Sequence, residues 1–169
     1  VLQYIRANYF IPDARKYWIK PSVKYLKEYL KSHPVDVVIS TGPPHSVHLI
    51  AQKLKEQTGV KWISDFRDPW TAIVYFHQLP LSKRSSKKHE KLETEVLQNS
   101  DAVVVVGETM KQNYLSENSN IHVITNGFDL DIDERKSPLD LKFTMTHIGL
   151  MNDDRNPTAL WEVLKELAN

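Results

Sequence analysis

The sequence predicts an α/β fold, a parallel sheet with flanking helices, and two observations carry that prediction. Short β-branched runs alternate with stretches of helical spacing along most of the chain, the pattern of successive βαβ units. One of the runs, residues 103–106, is apolar throughout, as a strand covered on both faces should be. Strands are expected at residues 36–40, 61–65, 102–106, 122–125 and 143–148. The first helix is read from Val23, Leu26 and Leu30, which recur at helical spacing after Pro21 and Ser22. In the second, Val47, Ile50, Ala51 and Leu54 fall at i, i+3, i+4 and i+7, and Gly59 stops it. A third helix is expected over about 86–99, a fourth over 109–117, and a fifth from near Pro157, a residue suited to a first helical position. The first 20 residues show no clear period and read as a connector. Their aromatics, among them Tyr4, Tyr9, Phe10, Tyr17 and Trp18, are expected to pack on the sheet or on something upstream.

The boundary between units is expected after Asp129, where residues 130–140 mix Asp, Glu, Arg, Lys and one Pro without sustained period. Residues 1–133 are read as one α/β unit, and residues 134–169 as a linker followed by the first strand, loop and helix of a second. The chain opens on Val1 rather than methionine, which suggests numbering from inside a longer protein. The first strands of the parent sheet are then expected to lie outside it, leaving apolar surface that favours self-association.

The bulk numbers exclude more than they assign. With 169 residues the chain can bury a real core. The 22 basic and 21 acidic residues balance to +1, so no nucleic acid partner is implied. The absence of cysteine excludes a disulfide framework and a thiolate metal site. No apolar run approaches the roughly 18 residues of a membrane-spanning helix, and a cytoplasmic protein is the expectation.

Chemistry in an open parallel sheet is sought in the loops beyond the carboxyl ends of the strands. After the first strand, residues 40–46 superficially suggest a phosphate cradle. Pro43 and Pro44, however, have no N–H to aim at a phosphate, so the loop reads as a rigid turn presenting His45 and Ser46. The plainer reading is that Ser46 caps the helix while His45 bonds locally. After the second strand come Asp65, Phe66, Arg67, Asp68, Pro69 and Trp70. Alternation places Asp65 and Arg67 on one face and Phe66 and Asp68 on the other. Two carboxylates flanking a guanidinium can bind sugar hydroxyls or steer a nucleophile, or form an inert ion-pair network. Asn126-Gly127 marks a turn with positive φ after the fourth strand. After the fifth, Gly149 allows close approach of a ligand to the backbone, and Arg155 precedes a helix start where a phosphate could sit. Two further signals are weaker. Asp129, Asp131 and Asp133 match a short metal-binding pattern but lie in the linker, so no metal site is read from them. A cationic run over 83–91 opens a helix against its dipole, which an anionic partner such as a membrane surface would offset. A solvated face is the alternative.

In order, the segments DVVISTGPPHS (36–46), KWISDFRDPW (61–70), DAVVVVG (101–107), VITNGFD (123–129) and HIG (147–149) with RNP (155–157) resemble the bacterial group 1 glycosyltransferases, family 4. The resemblance covers nearly the whole chain. It implies part of a GT-B architecture, two Rossmann-like domains facing a cleft, with the acceptor on the N-terminal domain and a nucleotide-sugar on the C-terminal one. It also implies retention of anomeric configuration without metal or other cofactor, the nucleotide-sugar being a co-substrate. By the same resemblance, His45, Ser46, Asp65 and Trp70 fall on the acceptor side, with Asp68 and Arg67 nearest the reacting sugar. Many members have His-Asp where this chain has Arg67-Asp68. Gly149, Arg155 and Asn156 match the loop beside the donor diphosphate, and Asn126 and Gly127 the crossing between domains. The implied activity is transfer of a hexose-type unit to a hydroxyl of a cell-surface glycan or lipid-linked sugar, in the cytoplasm or at the inner face of the membrane. A sugar-nucleotide epimerase or phosphorylase of the same architecture, or a non-catalytic sugar-binding or regulatory module, are the alternatives. The glycine-rich loop of the family's first strand and the acidic motif and nucleotide pocket of its donor domain are not in the sequence. Little transfer and weak nucleotide binding are therefore expected of this chain alone.

Overall fold

The structure is a computed structural model that describes residues 1–127, 129, 138 and 140–167. The chain divides into two compact units, Val1–Phe128 and Asp129–Asn169. The first holds helices α1 (Leu2–Tyr9) and α2 (Ile19–Ser32), then β1 (Val37–Gly42), α3 (Ser46–Thr58), β2 (Lys61–Phe66), α4 (Val74–Gln78) and α5 (Lys83–Asn99). It continues through β3 (Ala102–Val105), α6 (Glu108–Tyr114) and β4 (Ile121–Val123). The four strands form one parallel sheet in the order β1-β2-β3-β4. Register is continuous, with Ser40 opposite Ser64 and Phe66 opposite both Gly42 and Val105. This is the expected Rossmann-like α/β arrangement.

Strand order that follows chain order has a consequence for burial. Right-handed crossovers then bring every connecting helix to the same side of the sheet. Accordingly Trp62, Ser64, Phe66, Val103 and Val105 are buried, whereas Ile39 on the opposite face is 62% exposed and Val104 is only half-buried. The apolar 103–106 run is therefore covered on one face, not two, and its ladder stops at Val105. The first turns of helix α3 are buried nearly all round because they lie between two layers, whereas Lys53, Glu56, Gln57 and Thr58 are exposed. Leu49 and Ala51 join the sheet core of Trp62, Phe66, Val96 and Val103, while Ile50 and Leu54 pack on Val23, Leu26 and Leu30 of α2. Gly59 ends α3 at φ 74, a conformation that glycine adopts without penalty.

Two stretches are more helical than the sequence suggests. Residues 2–9 form α1, and Ala7 is its buried residue. Its weak period reflects how little of it faces the core. Tyr4, Tyr9, Tyr17 and Trp18 are exposed rather than packed on the sheet. The short α4 also has no sequence period of its own, and Phe76 is its buried residue. Helix α5 begins at Lys83, three residues before the expected start, because Ser82 serves as N-cap, its hydroxyl accepting from the Ser85 N–H at 3.2 Å.

The second unit differs most from expectation. Residues 143–148 carry no regular structure, and Phe143 and Ile148 are exposed. No other strand occurs among the described residues of this unit, so a ladder has no partner there. A 3₁₀ turn at Asp153–Arg155 leads to α7 (Thr158–Leu167). No described helix is long and apolar enough to cross a membrane.

Candidate functional site

A cavity of about 810 Å³ opens beyond the carboxyl ends of β1 and β2. Pro43, Pro44, His45 and Trp70 line it from the strand ends. One wall comes from α1 and the segment after it, including Ala7, Phe10 and Pro12, and the other from α4 and its exit, including Tyr75, Phe76 and Pro80. His89 of α5 also contributes.

The rings of His45 and Trp70 stack with centroids 4.3 Å apart and planes 2° from parallel. The Trp70 indole N–H donates to His89 Nδ1 at 3.0 Å, leaving the His89 proton on Nε2. Beneath them, Trp62 Nε1–H donates to Ser40 Oγ at 2.8 Å, and Ser40 Oγ lies 2.8 Å from His48 Nδ1. His48 Nε2 and His45 Nδ1 are buried without a hydrogen-bond partner among the described residues. Desolvation is the main cause that pushes His45 down to about 4, opposed by the nearby Asp13 charge. Burial likewise pushes His48 down to about 3 and lowers His89. These imidazoles are neutral near pH 7. The sheet leaves no room for a larger residue above His48, since a Cβ on Gly42 would sit 2.4 Å from its Nε2.

The turn before α3 does not present Ser46 to solvent. Ser46 is 1% exposed, and His45 rather than Ser46 is the residue before the first helical turn, with no side-chain cap of its own. The free helix end is satisfied from a distance: Asp13 Oδ2 accepts the Ser46 N–H at 2.7 Å. The His45 carbonyl accepts the His48 and Leu49 N–H groups at 3.1 and 3.4 Å, but its ring makes no local hydrogen bond among the described residues. It is buried by its stack on Trp70 but still borders the cavity.

The 65–70 loop is held differently from the ion-pair network considered above. Arg67 donates from Nη2 to the Pro43 carbonyl at 2.9 Å and from its backbone to the Gly42 carbonyl at 3.2 Å. It makes no ion pair with Asp65 or Asp68 among the described residues, because both of its anchors are backbone oxygens of the neighbouring loop. Asp65 is half-buried and Asp68 is exposed, and neither lines the cavity. Asp68 is near enough to Tyr75 for its charge to add to the burial that raises that phenol. The structure thus brings His45 and Trp70 together and leaves Ser46, Asp65, Arg67 and Asp68 outside the cavity lining.

Residues that the sequence did not single out fix the loop. Buried Glu93 accepts from the Trp70 N–H at 3.1 Å, the Tyr114 hydroxyl at 2.6 Å, the Thr71 N–H at 3.3 Å and the Thr71 hydroxyl. Burial, then the Glu93 charge, raises the Tyr114 phenol far above its ordinary value. The available signal was positional: His89 and Glu93 share the buried stripe of α5 with Val96 and Leu97, at i, i+4, i+7 and i+8. Asp13 offered no such signal.

In the second unit, Gly149 has φ 140, a conformation favouring glycine, and is exposed. Arg155 closes the 3₁₀ turn, its N–H donating to the Asn152 carbonyl at 2.9 Å. Asn156 Oδ1 accepts from Trp161 Nε1–H at 2.7 Å. Asn126 and Gly127 are exposed and take no positive φ, so they do not form the expected tight turn. Of the aspartates in the 129–133 pattern, Asp131 and Asp133 lie outside the described residues. No cluster of three or more metal-ligating side chains occurs among the described residues.

Fold and cavity define a Rossmann-like α/β domain with a cavity at the carboxyl ends of adjacent parallel strands, the position that such sheets use for substrates. The model of Glycosyltransferase Family 4 matches residues 1–132, and the chain belongs to that family. No curated protein matches it.

Proposed function

We propose that the Val1–Phe128 unit carries the acceptor side of a cytoplasmic glycosyltransferase that moves a hexose-type unit from a nucleotide-sugar to a hydroxyl of a glycan or lipid-linked sugar. Anomeric configuration is retained, and no metal or other cofactor takes part. The observation that carries this reading is the cavity bordered by His45 and Trp70 at the ends of β1 and β2, within the family match. The apolar part of its lining, including Ala7, Phe10, Pro12 and Phe76, suits the ring faces of an acceptor, and the neutral imidazole of His45 suits a hydroxyl. Asp68, with an exposed carboxylate at the rim of the loop, is the residue proposed nearest the reacting sugar, and Arg67 and Asp65 frame it. On the donor side, Arg155 is proposed to balance the charge that develops on the leaving diphosphate, with Gly149 and Asn156 beside it. Asn126 and Gly127 are proposed as the crossing between domains.

The test is sugar transfer from labelled nucleotide-sugars by the protein carrying this chain. Asp68→Ala and Arg155→Ala, both at exposed side chains, are expected to fold and to lose at least about tenfold in kcat/KM, the loss of one charged transition-state contact. Two fully active variants would refute the site. For the chain alone, calorimetry is expected to show only weak nucleotide-sugar binding, with Kd above roughly 100 μM. Tight binding of any one nucleotide-sugar would contradict the assignment.

A further inference from the structure

Along α1, α4 and the first turns of α5, elements that each contribute to the cavity lining, apolar side chains and cations are exposed together, with Asp68 beside Tyr75 and Glu90 on α5 as exposed acids. On α1, Leu2, Ile5 and Tyr9 fall at i, i+3 and i+7 on an outward stripe, whereas Gln3, Ala7 and Phe10 face the cavity. Leu2 is 83% exposed. Val74, Tyr75 and Leu79 of α4 and its exit are exposed on the other wall, and Tyr17 and Trp18 are 70% and 61% exposed.

Hydrogen bonds and ring contacts make these segments neighbours. Asn8 of α1 donates to the Pro80 carbonyl and accepts the Ser82 N–H, both at 2.8 Å, which ties α1 to the start of α5. The Phe10 and Tyr17 rings meet edge to face, and Lys16 Nζ lies about 5 Å from both centroids. On the first turns of α5, Lys83, Arg84, Lys87 and Lys88 are exposed, and none takes part in the ion pairs of the described residues. Asp13 accepts from the Ser46 and Arg15 N–H groups and Glu90 from the Ser86 hydroxyl, and the four α5 cations outnumber the exposed acids Asp68 and Glu90. Four cations at a helix N-terminus oppose the helix dipole, an arrangement that becomes favourable against an external anionic surface.

We propose that this face docks on an anionic phospholipid surface, with the exposed aliphatic and aromatic side chains entering the headgroup region and the α5 cations resting against lipid phosphates. Tyr and Trp rings with a polar edge and cations on long apolar stems suit an interface that is wet on one side and apolar on the other. Since α1, α4 and α5 also contribute to the cavity lining, an acceptor carried by a lipid would enter beside the docked face. That last step rests on the proposed transferase reading. Docking itself does not, and it is measured without any sugar transfer, so the two fail separately.

Cosedimentation of the full chain with vesicles of neutral lipid, and of neutral lipid with about 30% phosphatidylglycerol, is the test. At about 50 mM salt, binding to anionic vesicles is expected to exceed neutral binding at least roughly tenfold and to fall as salt approaches about 500 mM. The Lys87→Glu/Lys88→Glu variant and, separately, Ile5→Ser/Tyr9→Ser are each expected to weaken it roughly tenfold or more while circular dichroism is unchanged. Equal binding to both vesicle types, no binding, or binding indifferent to either variant would overturn the proposal. So would tighter binding to a matched charge of oligonucleotide than to the anionic vesicles at the same salt, which would mark a nucleic acid surface instead.

Discussion

Replacing Glu93 isolates the group that holds the strand-end loop in place. Every neighbour facing its carboxylate is a donor, from Trp70, Thr71 and Tyr114. Glu93→Gln keeps the shape and one oxygen but turns the second oxygen into an NH₂ that faces the Thr71 N–H. Two buried bonds, to the Trp70 N–H and the Tyr114 hydroxyl, lose charge assistance worth about 1 kcal/mol each. An unsatisfied Thr71 N–H adds about 1 kcal/mol, for a total near 3 kcal/mol. Glu93→Ala leaves the same donors without the carboxylate and opens a void, so about 4 kcal/mol is expected. Urea unfolding followed by far-UV circular dichroism measures both, with m unchanged. Amide exchange at Trp70 and Thr71 should accelerate more than at Val103 in β3, since the loosening is local. A loss under about 0.5 kcal/mol for Glu93→Gln, within the range of ordinary surface changes, would refute the idea that this carboxylate organises the loop.

The buried histidines predict an acid-sensitive fold. His45 and His48 are lowered in the folded state from 6.5, to about 4 and about 3. Their stabilising contribution is therefore complete above about pH 6.5 and declines as pH falls, by about 2 kcal/mol per histidine at pH 5. The groups facing His45 are the Trp70, Phe66 and His48 rings, with the Asp13 charge offsetting burial only in part and the His89 charge adding to it. Urea midpoints between pH 7.5 and 5 check this, and a flat profile would contradict it. Gly42→Ala should destabilise by about 1–3 kcal/mol, because the new methyl meets the packed ring of His48 rather than a flexible chain end. Thermal unfolding reads it directly. Asp13→Ala removes the acceptor of the Ser46 N–H and should lower stability by about 1 kcal/mol, and NMR titration should show the His45 pKa falling further. An unmoved His45 would separate the two residues electrically.

How much could be read in advance depended on whether a signal was periodic. The strand-and-helix order from β1 to β4 was legible because buried strands and half-buried helices repeat at 2.0 and 3.6 residues, and Gly59 marks the end of α3 by local chemistry. Helices α1 and α4 were not, since at 8 and 5 residues with one buried residue each they are too short for a core-facing period to stand out. The residues 143–148 have a strand's composition and no strand, because a ladder requires a second strand and composition cannot supply one. At the site, the sequence located the loops by their position after strands, and with them His45 and Trp70.

By itself, then, the sequence determined the α/β class, the order of the sheet's elements and the two loops that border the cavity, all consequences of local period and turn chemistry. Which loop residues meet was decided only in three dimensions. Asp13 reaches the start of α3 from 33 positions upstream, and Glu93 grips Trp70 from 23 positions downstream. Contacts at such separations depend on how helices cross a sheet, and no spacing along the chain encodes them.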